Sequence, residues 1–170
     1  MNNTMRIILS AALMASLAAC SKKVKEEAPV VTPEPTKTET PAVVDDGKFD
    51  PSDLDSDSCL RQRVVYFDFD KAEIKAESQA ILACHGKYLT DRPSAAITLE
   101  GHADERGTRE YNLGLGERRG NAVSSALQGN GGSASQLNVV SYGEERPTCS
   151  DSSEDCWGKN RRVEIVYTAK

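Results

Sequence analysis

The chain has 170 residues, 28% of them charged, and a formal net charge of -5 at neutral pH. That sign argues against a nucleic-acid-binding protein, because phosphate contacts demand a basic face. Once an apolar leader and a proline-rich stretch are set aside, about 110 residues remain, one ordinary domain able to bury a single core.

Arg6 precedes an apolar run from Ile7 to Ala18. The run is too short to span a bilayer as a stable helix and has the length of a signal-peptide core, so residues 1–19 are predicted to be a leader. Residues 21–58 hold five of the seven prolines among Thr, Glu, Lys and Val, with no sustained helical or strand period. Such a composition predicts a tether, reaching on the order of 100 Å if extended, with the folded domain beginning at residue 59. Asp53 to Ser58, DLDSDS, imitates the opening of a calcium loop. Ser58 stands where that loop needs glycine and Val64 where it needs glutamate, so no calcium is assigned.

Within the domain the elements alternate. Arg63 to Phe67 reads as a strand, and Ala72 to Thr90 as a helix with Ile74, Ile81, Leu82, Tyr88 and Leu89 on one stripe. Pro93 then separates the helix from a strand, Ala95 to Gly101, with Ile97 and Leu99 on one face and Thr98 and Glu100 on the other. From about Thr108 through Gln128 Leu113, Gly116, Gly120, Val123 and Leu127 recur at helical steps, and the two glycines would admit close packing on a sheet. Gly129 to Gly132 closes that helix, and Leu137 to Tyr142 and Arg162 to Tyr167 are further strands. The predicted fold class is α+β, a two-layer sandwich with a four-stranded mixed sheet and two main helices on one face.

The segment Gly101 to Arg119, GHADERGTREYNLGLGERR, carries the densest chemistry. Asn112, Leu115 and Arg119 share a helical face, and a long arginine there leans toward the helix N-terminus, toward Asp104. The result is a carboxylate for an ammonium group and a guanidinium for a carboxylate, with helix-terminal donors between them. A zwitterionic ligand fits this set, and an internal Asp104–Arg119 ion pair fits it too.

That segment, together with YFDFDK at 66–71, SYGEERP at 141–147 and KNRRVEI at 159–165, resembles the C-terminal module of the outer membrane protein A family over about residues 62–168. Within the family it is most similar to the lipid-anchored members that work with the Tol system. The resemblance implies the OmpA-like fold, with an extra helical turn before the last strand. It also implies that Asp104 and Arg119 hold the amine and carboxylate of diaminopimelate in a peptidoglycan stem peptide. Phe69, Asp70, Arg106, Asn112 and Leu115 would complete the groove. Trp157 stands where relatives often have tyrosine, Gly120 where they often have alanine, and four cysteines are not general to the family. None of these departures is expected to touch the pocket directly.

Leu17-Ala18-Ala19-Cys20 resembles a lipobox, implying acylation and cleavage at Cys20 and lasting membrane attachment. Ser21, rather than aspartate, follows the cysteine, which in the family's logic implies the outer membrane. Cys59, Cys84, Cys149 and Cys156 then form an even set with three possible pairings, of which Cys59–Cys84 with Cys149–Cys156 is preferred. Zinc is the poorer alternative, since no close-spaced ligand pair exists.

His102 beside Asp104 and Glu105 has no second metal ligand and no nucleophile motif, so an enzyme is not predicted. His85 is expected to be half-buried or solvated. GLGERRG lies within a helix, has its third glycine one residue late, and lacks the Lys-Ser or Lys-Thr of a phosphate loop. The reading is therefore a cofactor-free outer-membrane lipoprotein. It would bind peptidoglycan, partner the periplasmic Tol β-propeller and serve envelope constriction during division. An interaction protein whose main ligand is that propeller, and a muropeptide-cleaving enzyme, are the alternatives.

Overall fold

The structure is a computed structural model and describes residues 46–170; the leader, Cys20 and most of the tether lie outside the described residues. Four strands make one sheet: β1 (Val64–Tyr66), β2 (Ala96–His102), β3 (Leu137–Gly143) and β4 (Arg162–Ala169). Their order is β1-β4-β2-β3, with β2 and β3 parallel and the other pairings antiparallel. The helices are α1 (Asp53–Ser56), α2 (Gln79–Asp91), α3 (Arg109–Gly129) and α4 (Glu154–Asn160). The α+β sandwich with a mixed sheet is the observed fold. α4 supplies the helical turn before the last strand.

Alternation along the strands sets the core. Ile97 and Leu99 of β2, Val163 and Ile165 of β4 and Val65 of β1 point to one face, where they meet Leu82, Tyr88 and Leu89 of α2 and Val123 and Leu127 of α3. Helix α3 comes very close to the sheet. A Cβ on Gly101 would lie 2.0 Å from the Gly116 carbonyl oxygen, and one on Gly116 would lie 2.3 Å from Ser141 Oγ. The glycine pair thus permits a backbone-to-backbone approach that any side chain would block.

Three sequence expectations need correction. The tether does not extend to residue 58: Leu54 is fully buried in the core, the Phe49 ring lies 6.3 Å from that of Tyr88, and the Phe49 amide donates to Asp91 Oδ2 at 3.0 Å. One apolar residue among Asp and Ser makes no period, yet one buried leucine is enough to dock the turn. The first long helix begins at Gln79 after a 3-10 turn at Ala76–Ser78, not at Ala72, and Lys75 is extended (φ -73, ψ 150). The Lys71 carbonyl that such a helix would use as its first acceptor is taken instead by Arg119 Nε at 2.8 Å. His85 is fully buried rather than half-exposed, its ring nitrogens satisfied by Tyr167 Oη at 2.8 Å and the Gln62 carbonyl at 3.0 Å.

Cys59 is bonded to Cys84, tying the segment before β1 to α2, and Cys149 to Cys156, closing the loop that leads into α4.

Candidate functional site

A cleft of about 210 Å³ opens where three segments meet. The loop after β1 contributes Phe69 and Asp70; the loop after β2 contributes Asp104, Arg106 and Gly107; the first two turns of α3 contribute Tyr111, Asn112 and Leu115. Local chemistry explains each placement. Asp70 adopts a left-handed conformation (φ 57), which aspartate tolerates better than most residues, and so turns the first loop. A register shift between Gly101 and His102, after which His102 pairs with Gly143, breaks the regular ladder of β2 and β3 just before Asp104, as a bulge does when it re-aims a side chain. Thr108 caps α3 by accepting from the Tyr111 amide and so fixes the first turn, which carries Tyr111 and Asn112 to the cleft.

Asp104 is almost fully buried and completely engaged. Its Oδ1 accepts from the Arg106 amide and from Arg106 Nε, each at 3.1 Å, and its Oδ2 accepts from Arg106 Nη2 at 2.7 Å and Arg161 Nη1 at 3.2 Å. Burial acts against the charged carboxylate, but the bonds from Arg106 and Arg161 outweigh it and hold the pKa below its ordinary value. Arg106 is the partly exposed cation of the cleft, its side chain 30% accessible. Its guanidinium lies over the Phe69 ring at 4.0 Å and over the Trp157 ring at 4.2 Å. Asn112 donates to the Arg106 carbonyl at 3.3 Å and also bonds Glu144; Tyr111 donates its hydroxyl to Asp70.

Arg119 is placed differently from its expected role. It is fully buried, does not line the cleft, and makes no ion pair with Asp104 among the described residues. Its Nε donates to the Lys71 carbonyl at 2.8 Å, Nη1 to that of His102 at 2.7 Å and Nη2 to that of Asp68 at 3.1 Å. It therefore clamps the loop after β1 to the end of β2, using three of its five N–H groups among the described residues. Burial lowers its pKa to about 10, with the charge of Asp104 opposing that fall, so it stays a cation at neutral pH.

Of the residues expected at the groove, Phe69, Asp70, Asp104, Arg106, Asn112 and Leu115 are brought together. Sequence reasoning missed Tyr111 as a lining residue and Arg161 as the second cation on Asp104. The arginine sits in the KNRR block, but nothing in its spacing connects it to a residue 57 positions earlier. Trp157, expected to stay clear of the pocket, is absent from the lining yet covers one face of Arg106.

The fold and the cleft define a class: a small α+β domain with an acid–base groove at the sheet's end. The sequence profile of the OmpA family matches residues 66–161, and the chain belongs to that family. Over 98% of its length it is 39% identical to the peptidoglycan-associated lipoprotein of Haemophilus influenzae, covering all of that protein. It is 45% identical to the protein of the same name from Pseudomonas aeruginosa, over 66% of this chain and 67% of that one. Among solved structures, the peptidoglycan-associated lipoprotein of Burkholderia pseudomallei superimposes with a TM-score of 0.67 at 43% identity, over 70% of this chain and all of that one.

Proposed function

We propose that this chain is a lipid-anchored, non-catalytic protein that links the outer membrane to the cell wall by gripping peptidoglycan stem peptides reversibly in the Asp104 cleft. The observation that carries the reading is the Asp104–Arg106 pair, a buried carboxylate bonded to a partly exposed guanidinium. A ligand group bearing both an ammonium and a carboxylate, as the diaminopimelate side chain does, can exchange that one internal pair for two. Its carboxylate takes Arg106, and its ammonium takes Asp104 and Asp70. No charge is left unpaired, which is the condition for desolvating such a site at acceptable cost. Arg119, a buried cation behind the groove, adds positive potential for the carboxylate.

The match to the Haemophilus lipoprotein runs over nearly the whole chain, including the region of Cys20, and supports a lipid anchor there. Ser21 supports the outer membrane as its address. Partnership with the Tol β-propeller and a part in constriction rest on the motif resemblance. The non-catalytic reading is supported by His102, which is buried against Tyr142 rather than lining the cleft.

Titration of a monovalent diaminopimelate-containing muropeptide into the mature chain in detergent tests the proposal and avoids the avidity of a polymeric wall. Asp104→Asn should weaken binding at least about tenfold, since removing one member of a desolvated charge pair costs on the order of 2 to 5 kcal/mol. Wild-type affinity in that variant would refute the cleft as the site. Release of soluble fragments from purified wall would favour the muropeptide-cleaving enzyme, and displacement of wall by the propeller would rank the two binding partners.

A further inference from the structure

We infer that the loop closed by the Cys149–Cys156 disulfide is a positioning wall of the cleft, acting through Trp157 and Glu154 on Arg106. The disulfide thereby controls how tightly a carboxylate-bearing ligand is held. The inference rests on the cleft reading above and assigns its regulation. The Arg106 guanidinium lies over both the Phe69 and the Trp157 rings, its central carbon 4.0 and 4.2 Å from their centroids. A guanidinium held against two rings loses rotational freedom, so the rings help set where its N–H groups point.

Trp157 stands in α4, directly after Cys156 at the end of the disulfide loop. Trp157 Nε1 donates to Glu105 Oε1 at 3.0 Å, and Ser152 Oγ donates to the same oxygen at 2.7 Å. Glu154 bridges the two arginines that hold Asp104: Arg161 Nη2 donates to its Oε1 at 2.6 Å, and its Oε2 lies 3.5 Å from Arg106 Nη1. Little else fixes this segment. Residues 150–155 are all exposed, and α4 has seven residues, too few to hold itself. Its anchors are the buried Cys156, the disulfide, and Asn160, whose side chain bonds the Thr148 and Cys149 amides and the Cys149 carbonyl. Exchange with a dithiol transfers two electrons and two protons to the pair, leaves two thiols, converts the dithiol to its own disulfide, and removes the covalent anchor.

The experiment uses the mature chain in detergent, a monovalent diaminopimelate tripeptide as probe, and the 15N{1H} NOE of Arg106 Nε–H as a readout that needs no ligand. Cys149→Ala with Cys156→Ala, which spares Cys59–Cys84, and separately Trp157→Ala, should each lower the affinity about tenfold and lower the NOE. Trp157→Phe should stay within about twofold, and Trp157→Ala should add nothing in an Arg106→Ala background, as coupling through Arg106 requires. Tripeptide binding and an NOE unchanged in both variants would overturn the inference. A wild-type chain that fails to bind the tripeptide would sink the cleft reading instead; the NOE then decides the positioning by itself, since an unchanged value overturns it and a lowered one upholds it.

Discussion

Arg161 reaches Asp104 through Nη1 at 3.2 Å while its Nε holds the Phe67 carbonyl at 3.1 Å, so a residue at the entry to β4 pins both loops that make the cleft. Arg119 does the same from below the groove, through the carbonyls of Asp68, Lys71 and His102. The two arginines make the site's shape a property of three chain segments at once. They also change what a substitution there can reveal.

Arg119→Ala should destabilise the fold by at least about 3 kcal/mol, because it orphans backbone carbonyls and empties a fully buried volume, and leaving even one buried acceptor unsatisfied costs on the order of 1 to 3 kcal/mol. Urea unfolding monitored by circular dichroism measures this. A midpoint equal to wild type would show that the clamp contributes nothing. Loss of wall binding in this variant alone would not identify Arg119 as a ligand contact.

Gly101→Ala and Gly120→Ala should separate in severity. The new Cβ would meet the Gly116 carbonyl oxygen at 2.0 Å in the first case and Val139 Cγ1, a side-chain tip, at 2.5 Å in the second. Backbone cannot step aside as a side chain can, so Gly101→Ala should cost more than about 2 kcal/mol and Gly120→Ala distinctly less. Thermal melts of both variants side by side decide it; equal losses would contradict the reading.

The buried histidines predict acid sensitivity. Burial, reinforced by the charges of Arg162 and Arg146 and opposed by Glu164, pushes His102 down to about 4 from its ordinary 6.5. Above pH 6.5 both folded and unfolded chains keep the ring neutral; between there and about 4 only the unfolded chain takes up the proton, so stability falls as pH falls. The loss from this group is on the order of 3 kcal/mol when complete. His85, lowered chiefly by burial, acts in the same direction. Urea midpoints at pH 7.5, 6.0 and 4.5 should decline in wild type and decline less in His102→Leu. Parallel curves would exclude His102 as a source.

For the anchor, Cys20→Ser should give a precursor that no longer fractionates with the outer membrane, since acyl chains would supply nearly all of the membrane affinity. Unaltered fractionation would count against the lipobox.

The order of strands and long helices, the apolar stripes of α2 and α3, and the glycines that let α3 approach the sheet were legible in the sequence, because period and local sterics act over a few neighbouring residues. Most of the groove was legible as well, since Asp104, Arg106, Asn112 and Leu115 lie within 12 consecutive positions across one strand-to-helix turn. What only the tertiary structure decided are bonds between distant segments. Arg119 was expected to face a ligand or Asp104 and instead binds carbonyls up to 51 residues away, and Arg161 bonds a carboxylate 57 residues away. Trp157 covers Arg106 from α4, although its position in the sequence suggested no contact with the pocket. Leu54 joins the core without any periodic neighbour. Sequence pattern records which face an element buries, whereas the partner of a long polar side chain depends on which carbonyls and carboxylates the folded chain brings within about 3 Å of its tip.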